Sequence, residues 1–429
     1  MTGSGATSAP GKLLLKLAPQ AIAQRSAQLA RGCAVISATN GKTTTSGIVA
    51  EIMRADGATL VHNKAGANMA GGVASTLNDQ RGDFGLFEVD EFWLPGLVEQ
   101  LAPRSLLLAN LFRDQLDRYG ELDEIVDRWR SVVASPSAGQ VVLNADDPLV
   151  AGLGADAEKP LYFGIEDTTA GQTTAQHASE QASCPSCGAP FVYSRYFVGQ
   201  LGHYSCPDGH MARPKPSVSA SAIALNGLDG SSFSLSLGDE IFDVKLPLPG
   251  LYNVYNALGA AALAESLGVD RPLIARAISS SRPSFGRAET LTVEGRACSI
   301  MLVKNPAGAN EVIRTLASDA RAHDALIVLN DQIADGRDIS WIWDADFEGM
   351  DSITGSVVCS GARAAELALR MKYAGVSSDQ INVDEDLSAA LNRALAGTSE
   401  RLIILPTYTA MLEIRELLVE RGAIEESFA

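Results

Sequence analysis

The stretch SATNGKTTTSG, Ser37–Gly47, decides how this chain is read. It follows the apolar run CAVISA, Cys33–Ala38, which reads as a short buried strand, and it precedes Thr44–Ala55, whose apolar residues recur at helical spacing. A strand, a glycine turn and a helix in that order aim the first backbone N–H groups of the helix at one point, where phosphate binds. The full phosphate-loop pattern G-x-x-x-x-G-K-[ST] asks for a glycine five positions before Gly41, and Ile36 stands there. The remaining half keeps its chemistry. Gly41 lets backbone approach a phosphate, Lys42 brings a point charge to the β and γ oxygens, and the Thr43 hydroxyl can ligate Mg²⁺.

Lysine and threonine alone do not carry phosphoryl transfer, because a carboxylate must hold the metal near the γ-phosphate. LFEVDEFWLP supplies Glu88, Asp90 and Glu91 at the end of a strand-like run, and alternation puts Glu88 and Asp90 on one side. Glu88 is the first choice as metal ligand; a solvated acidic loop is the alternative. NLFRDQLDRYGE follows another buried run with Asn110, Arg113, Asp114, Gln115, Asp117 and Arg118, each of which can face a nucleotide or cap the next helix. In LNADDP, Asn144 can read an adenine edge and Asp146 or Asp147 can hold a ribose, but helix capping explains the same residues.

A length of 429 residues suggests two or three domains, and 46% hydrophobic against 20% charged residues suffices for sizeable cores. The formal charge of −17 argues against nucleic acid, which demands concentrated cations. With no apolar run of membrane-spanning length and no signal-peptide pattern at the start, a cytoplasmic protein is expected. The segment GKLLLKLAPQAIAQRSAQLARG is basic and amphipathic; a packing helix is the favoured reading over a membrane or partner contact.

Apolar runs then alternate with helical patterns. SLLLANL (Ser105–Leu111) and QVVLNADD (Gln140–Asp147) read as strands ending in polar residues, so Thr39, Asn110 and Asn144 fall at the carboxyl ends of a parallel sheet, where ligands bind. The polar stretch 168–183 reads as a flexible lead into an insertion, and SSFSLSLGDEIFDVKLPLPG as resumed strands. A second α/β unit begins near Leu291, with strands in CSIMLVKNP, DALIVLND, ITGSVVCSG and RLIILPTY. The insertion holds Cys184, Cys187 and Cys206, three soft ligands for a tetrahedral Zn²⁺ that wants a fourth. A standard ribbon would place cysteine at position 209, which is Gly209; His210 is favoured, with His203 and Asp208 as alternatives.

Taken in order, TNGKTTT, EVDE, NLFRDQLDRYGE, LNADDP, YFG, LPGLYNVYNALGAAA and FGRAE resemble the ATP-binding central domain of the Mur ligase superfamily. VKNPAGANEV, NDQIADGRDISWIWDADFE and LPTYTAML, together with the inserted ribbon, are similar to the MurT family, synthetase subunits of lipid II isoglutaminyl synthase that pair with the glutaminase GatD. The resemblance implies an α/β architecture: an N-terminal helical segment over 1–32, a Mur ligase-type central P-loop ATPase domain over 33–290 with a zinc ribbon inserted at 184–210, and a Rossmann-like C-terminal α/β domain over 291–429. It also implies ATP and Mg²⁺ as cofactors, structural Zn²⁺, a GatD-like partner, and lipid II met at the inner face of the membrane. The phosphate loop starts too early for the UDP-sugar domain of the peptidoglycan Mur ligases, and no Cys-His glutaminase signature is seen, so ammonia is expected from another chain.

Carried onto this chain, the resemblance assigns nucleotide contacts to Asn40, Gly41, Lys42, Thr43, Thr44, Asn110, Asn144, Asn253 and Asn256, and phosphate contact to Arg287. Asp344, among Asp338, Asp346 and the apolar Ile339, Trp341 and Ile342, is expected to be the functional acid that aids amide transfer or the partner's histidine. Two rival readings are a standalone ligase of the folylpolyglutamate type and a nucleotide-sensing adaptor without chemistry.

Overall fold

The computed structural model describes residues 9–63, 67–113, 122–175, 182–283, 286–319, 321–350 and 354–424. Asp114, Gln115, Asp117 and Arg118, and residues 176–181 of the polar lead at 168–183, lie outside them.

Six parallel strands carry the phosphate-loop half: β1 (Cys33–Ser37), β2 (Leu60–His62), β3 (Phe84–Glu88), β4 (Ser105–Leu108), β5 (Gln140–Asn144) and β6 (Leu161–Ile165). β1, β3 and β4 are buried at every position, which is why they read as continuous apolar runs. A separate hairpin, β7 (Val192–Val198) and β8 (Leu201–Ser205), forms the body of the insertion. The chain then rejoins the first sheet with β9 (Val218–Leu225), β10 (Ser231–Leu237) and β11 (Glu240–Leu246), giving the order β11-β10-β9-β6-β5-β4-β1-β3-β2. β10 alternates buried with half-buried residues, as an antiparallel edge with one covered face should. One face of this sheet packs on helices Lys42–Ala55, Leu251–Ser266 and Arg271–Ser279. The other packs on helices Ala70–Asp79, Leu94–Leu101 and Leu122–Val133.

The second sheet holds β12 (Arg287–Val293), β13 (Arg296–Met301), β14 (His323–Val328), β15 (Thr354–Ser360), β16 (Ile381–Val383) and β17 (Arg401–Pro406), in the order β12-β13-β17-β14-β15-β16. Only the β12/β13 hairpin is antiparallel. Its first strand starts at Arg287, upstream of Leu291, where the apolar pattern begins.

Three local readings change. β4 ends at Leu108 and β5 at Asn144, because Ala109–Leu111 and Ala145–Asp147 leave the sheet to line its carboxyl edge. The phosphate-loop helix starts at Lys42, directly after Gly41. The basic N-terminal segment is two helices, Ala9–Leu17 and Ala21–Ser26, separated around Pro19, whose ring cannot continue a helix.

Candidate active site

β1 lies between β3 and β4, so the chain returns to the sheet on opposite sides of it and opens a crevice at the carboxyl ends. The residues expected at the phosphate loop converge there. Gly41 takes φ +85°, a left-handed conformation that glycine adopts without a Cβ penalty, and caps the helix Lys42–Ala55. A Cβ at this position would stand 2.1 Å from Oδ1 of Asn256, so the loop and the helix Leu251–Ser266 approach as closely as glycine permits.

Glu88 ends β3 and is 2% exposed. Thr43 Oγ1 donates to its Oε2 at 3.1 Å, and Ser46 Oγ donates to its Oε1. Asn63 fixes the Glu88 backbone from both sides, accepting from its N–H at 2.9 Å and donating to its carbonyl at 2.8 Å. A hydroxyl and a carboxylate held together are the hard oxygen donors that Mg²⁺ takes. Lys42 points the other way. Its Nζ donates to the Ala38 carbonyl and lies 2.9 Å from Oε2 of Glu91. Burial pushes the Glu91 carboxyl up, but the Lys42 and Lys304 charges and hydrogen bonding outweigh it and hold the group below its ordinary range.

Asn110 is buried and exchanges two hydrogen bonds with the Asn40 backbone, both 2.9 Å. Asn256 accepts from Thr45 Oγ1 and donates to Asn253 at 2.9 Å, while Asn253 donates to the Pro249 carbonyl. Asn40, Gly41, Thr44, Asn110, Asn253 and Asn256 line one wall of a cleft enclosing about 830 Å³, open solvent at its mouth included. The opposite wall comes from the second unit, with Met301, Lys304, Gly308 and Glu311. The side chains of Asn40 and Asn305 bond reciprocally across it, at 3.3 and 3.1 Å, and Asn305 also caps the helix Pro306–Ala317.

Other expected residues sit elsewhere. Asn144 is 1% exposed and spends its amide on the backbone, donating to Ala109 at 2.9 Å and accepting from Asp146 N–H at 3.0 Å. Asp147 caps the helix Pro148–Gly152 and also accepts from Leu111 N–H. Burial, opposed by these backbone bonds, pushes its carboxyl up to about 6. Asp146 holds Arg213 and accepts from Tyr255 at 2.7 Å. Of Arg287 only the backbone is described, paired with Met301 at the start of β12. Asp344 is exposed at the end of the short turn Ser340–Trp343 and is not among the cleft-lining residues. Lys304 and Glu311 were not singled out as site residues from sequence, although both lie in VKNPAGANEV, one just before and one inside the helix Pro306–Ala317.

In the insertion, one ligand atom each from Cys184, Cys187, Cys206 and His210 lies within 4.8 Å of all the others. The Cys187 and Cys206 sulfurs are 3.5 Å apart, and Cys206 Sγ is 3.8 Å from His210 Nδ1. Zinc with Zn–S bonds of about 2.3 Å needs ligand separations of roughly 3.8 Å, so this donor set fits. His203 instead turns its Nε2 to the Ile165 carbonyl at 2.7 Å.

A phosphate loop on a parallel sheet, with a second α/β unit facing it across a cleft, is an arrangement that the Mur ligases share. Residues 36–200 match the Mur ligase middle domain, and residues 302–411 match the MurT ligase C-terminal domain. The chain is 32% identical over 399 residues to lipid II isoglutaminyl synthase (glutamine-hydrolyzing) subunit MurT of Streptococcus pneumoniae, covering 91% of this chain and 88% of that one. It is 31% identical over 421 residues to the subunit of that name from Staphylococcus aureus strain COL, covering 97% and 93%. The chain belongs to the MurT family and is an ATP-dependent ligase.

Solved structures share the fold. A pseudomurein peptide ligase type C from Methanothermus fervidus superposes with a TM-score of 0.70 at 24% identity, over 90% of this chain and 78% of that one. MurF ligase from Thermotoga maritima in complex with ADP gives 0.67 at 14% identity, over 97% and 84%.

Proposed function

We propose that the protein amidates the α-carboxyl of the second-position D-glutamate in the lipid II stem peptide, giving D-isoglutamine, with ATP and with ammonia from a GatD-like glutaminase subunit. The observation that carries this reading is the cleft. Its walls bring the loop residues Asn40, Gly41 and Thr44 against Lys304 of the second unit, and Lys42 and Thr43 stand in the same loop and helix start, with Glu88 bonded to Thr43. The relatives' names, which specify lipid II, glutamine hydrolysis and a subunit, support the choice of substrate and of a second chain as the ammonia source.

In this mechanism Gly41 and the helix N-terminus receive the phosphates, and Lys42 leaves Glu91 to meet the β and γ oxygens. Thr43 and Glu88 are the residues that would hold Mg²⁺, which when bound neutralises charge on the transferring phosphoryl group. A substrate carboxylate oxygen attacks the γ-phosphorus and ADP leaves, forming an acyl phosphate. Ammonia then attacks the acyl carbon, a proton is lost from nitrogen, and inorganic phosphate departs. Lys304 draws charge from the cleft's far wall. Asn110, Asn253 and Asn256 orient the loop and nucleotide, and Asn144 steadies the floor beneath them. Cys184, Cys187, Cys206 and His210 would hold a structural zinc. Asp344 serves at the partner-facing surface, orienting the glutaminase's catalytic histidine.

The test is incubation with ATP, lipid II and either glutamine or ammonia, with and without a glutaminase subunit, read by product mass. Glutamine-dependent amidation should require both chains. Asp344→Asn should lose it while keeping amidation from free ammonia and a normal melting temperature. Addition of an amino acid by the lone chain, or no covalent product, would refute the proposal.

A further inference from the structure

The first acidic residue of the chain is Glu51, although the whole carries −17. Before it stand Lys12, Lys16, Arg25, Arg31 and Lys42. Three of these cations are engaged: Arg25 with Asn78, Arg31 with Asp56, and Lys42 with Glu91. Lys12 and Lys16 have no ion pair among the described residues.

Both lie on the helix Ala9–Leu17. At 100° per residue its buried side, Gly11 with the partly buried Leu14 and Leu15, occupies one arc, and Lys12, Lys16, Leu13 and Leu17 share an opposite arc of roughly 140°. The buried side is docked closely. Gly11 N–H donates to Ser75 Oγ at 2.8 Å, and a Cβ on Gly11 would collide with the Gly71 carbonyl. The outer side leaves Leu13 58% and Leu17 78% exposed. A solvent-facing arc made of two lysines and two leucines, with no acid, is the pattern of a helix lying in a lipid interface.

Its place in the fold agrees. Gly71 is in the first turn of the helix Ala70–Asp79, beside the Asn68–Asp90 backbone bond that follows β3, so the N-terminal helix lies toward the carboxyl edge of the sheet that bears Glu88. Trp93, 43% exposed, follows Glu91 at that same edge, and indole rings favour the headgroup region.

We propose that the outer face of the helix Ala9–Leu17, assisted by Trp93, seats the protein on an anionic phospholipid bilayer. Charge complementarity selects this occupant. An acidic protein is repelled by an anionic surface except through a patch that has lost its acids, and such a patch also fixes orientation. The catalytic edge then faces the layer in which a lipid-linked substrate resides. The inference rests on the proposed function only for that substrate.

The full chain is sedimented with vesicles of phosphatidylcholine containing phosphatidylglycerol, and with vesicles of phosphatidylcholine alone. Each lysine near such a surface changes partitioning about fivefold, so Lys12→Gln/Lys16→Gln should weaken binding to the anionic vesicles at least tenfold, with a matching sensitivity to salt. Leu13→Gln/Leu17→Gln should weaken it on both sides of the salt range. Unchanged melting temperatures establish that the variants fold, and both should amidate a lipid-free stem peptide at the wild-type rate. Equal binding to the two vesicles, or unaltered binding by the variants, overturns the proposal. So does loss of glutaminase association with vesicle binding intact, which would make the face a protein interface. Failure of the wild type to amidate any stem peptide would instead sink the function and leave the vesicle result standing.

Discussion

Replacing Gly41 with alanine tests the geometry of the phosphate loop most directly. A non-glycine residue in the left-handed region costs about 1–2 kcal/mol, and Gly41 sits at φ +85°. The added Cβ also meets Asn256 Oδ1 at 2.1 Å, so that amide must move. Moving it breaks the bonds to Thr45 Oγ1 and Asn253 Oδ1, each worth about 0.5–1.5 kcal/mol. Gly41→Ala should therefore cost about 2–5 kcal/mol in urea unfolding, and ADP affinity measured by calorimetry should fall at least tenfold. Asn256→Ala forfeits the same two bonds but removes the obstacle. The double variant then carries the backbone strain plus one loss of those bonds, and the cycle should be non-additive by about 1–3 kcal/mol. Costs that add to within about 0.5 kcal/mol would refute the close approach of Gly41 to Asn256.

Lys42→Ala should lower kcat/KM for ATP about a thousandfold or more, as expected of a charge on the transferring phosphate. Glu91→Gln should tighten ATP binding several-fold, because the carboxylate 2.9 Å from Lys42 no longer competes for its charge; weaker binding would mean that Glu91 serves the nucleotide. For Asp147, the folded carboxyl is raised to about 6 while an unfolded aspartate titrates near 4. The folded state then binds more protons between those values, so stability falls as pH rises through the window, by about 3 kcal/mol. Asp147→Asn should remove that fall, seen as a stability difference between variant and wild type that moves steadily in the variant's favour in unfolding curves measured at pH 4, 5 and 6. A zinc-specific chelator, or Cys187→Ala, should release one zinc per chain by metal analysis and lower the melting transition of the insertion, leaving ADP affinity within a few-fold of wild type.

Much of the fold was legible because burial on both faces leaves a simple trace. CAVIS in β1 and SLLL in β4 are apolar except for one terminal serine each, and polar residues follow close after each strand. β16 has three residues, half-buried or exposed, and left no such trace. The alternation in β10 announced a strand, but not that it would extend the first sheet at its antiparallel edge. The cluster that could hold a metal was legible for a different reason: three cysteines and a histidine around one hairpin are close in sequence and in space.

The cleft is where local pattern ran out, and the reason is sequence distance. Asp146, Asn144 and Asp147 each invited a nucleotide-contact reading and a structural one, and nothing within LNADDP separates the two. The structural partners that fill their bonding capacity are Arg213, 67 residues away, and Tyr255, 109 residues away, together with the backbone of the neighbouring strand end at Ala109 and Leu111. The Asn40–Asn305 pair spans 265 residues, and the Lys304 charge acts on Glu91 only because the second unit folds back over the first. A motif gives the chemistry of one wall. The opposing wall depends on where a later segment lands, so the loop at Gly41 announced phosphate while the charge balance around Lys42 could be worked out only with Lys304 and Glu91 in place.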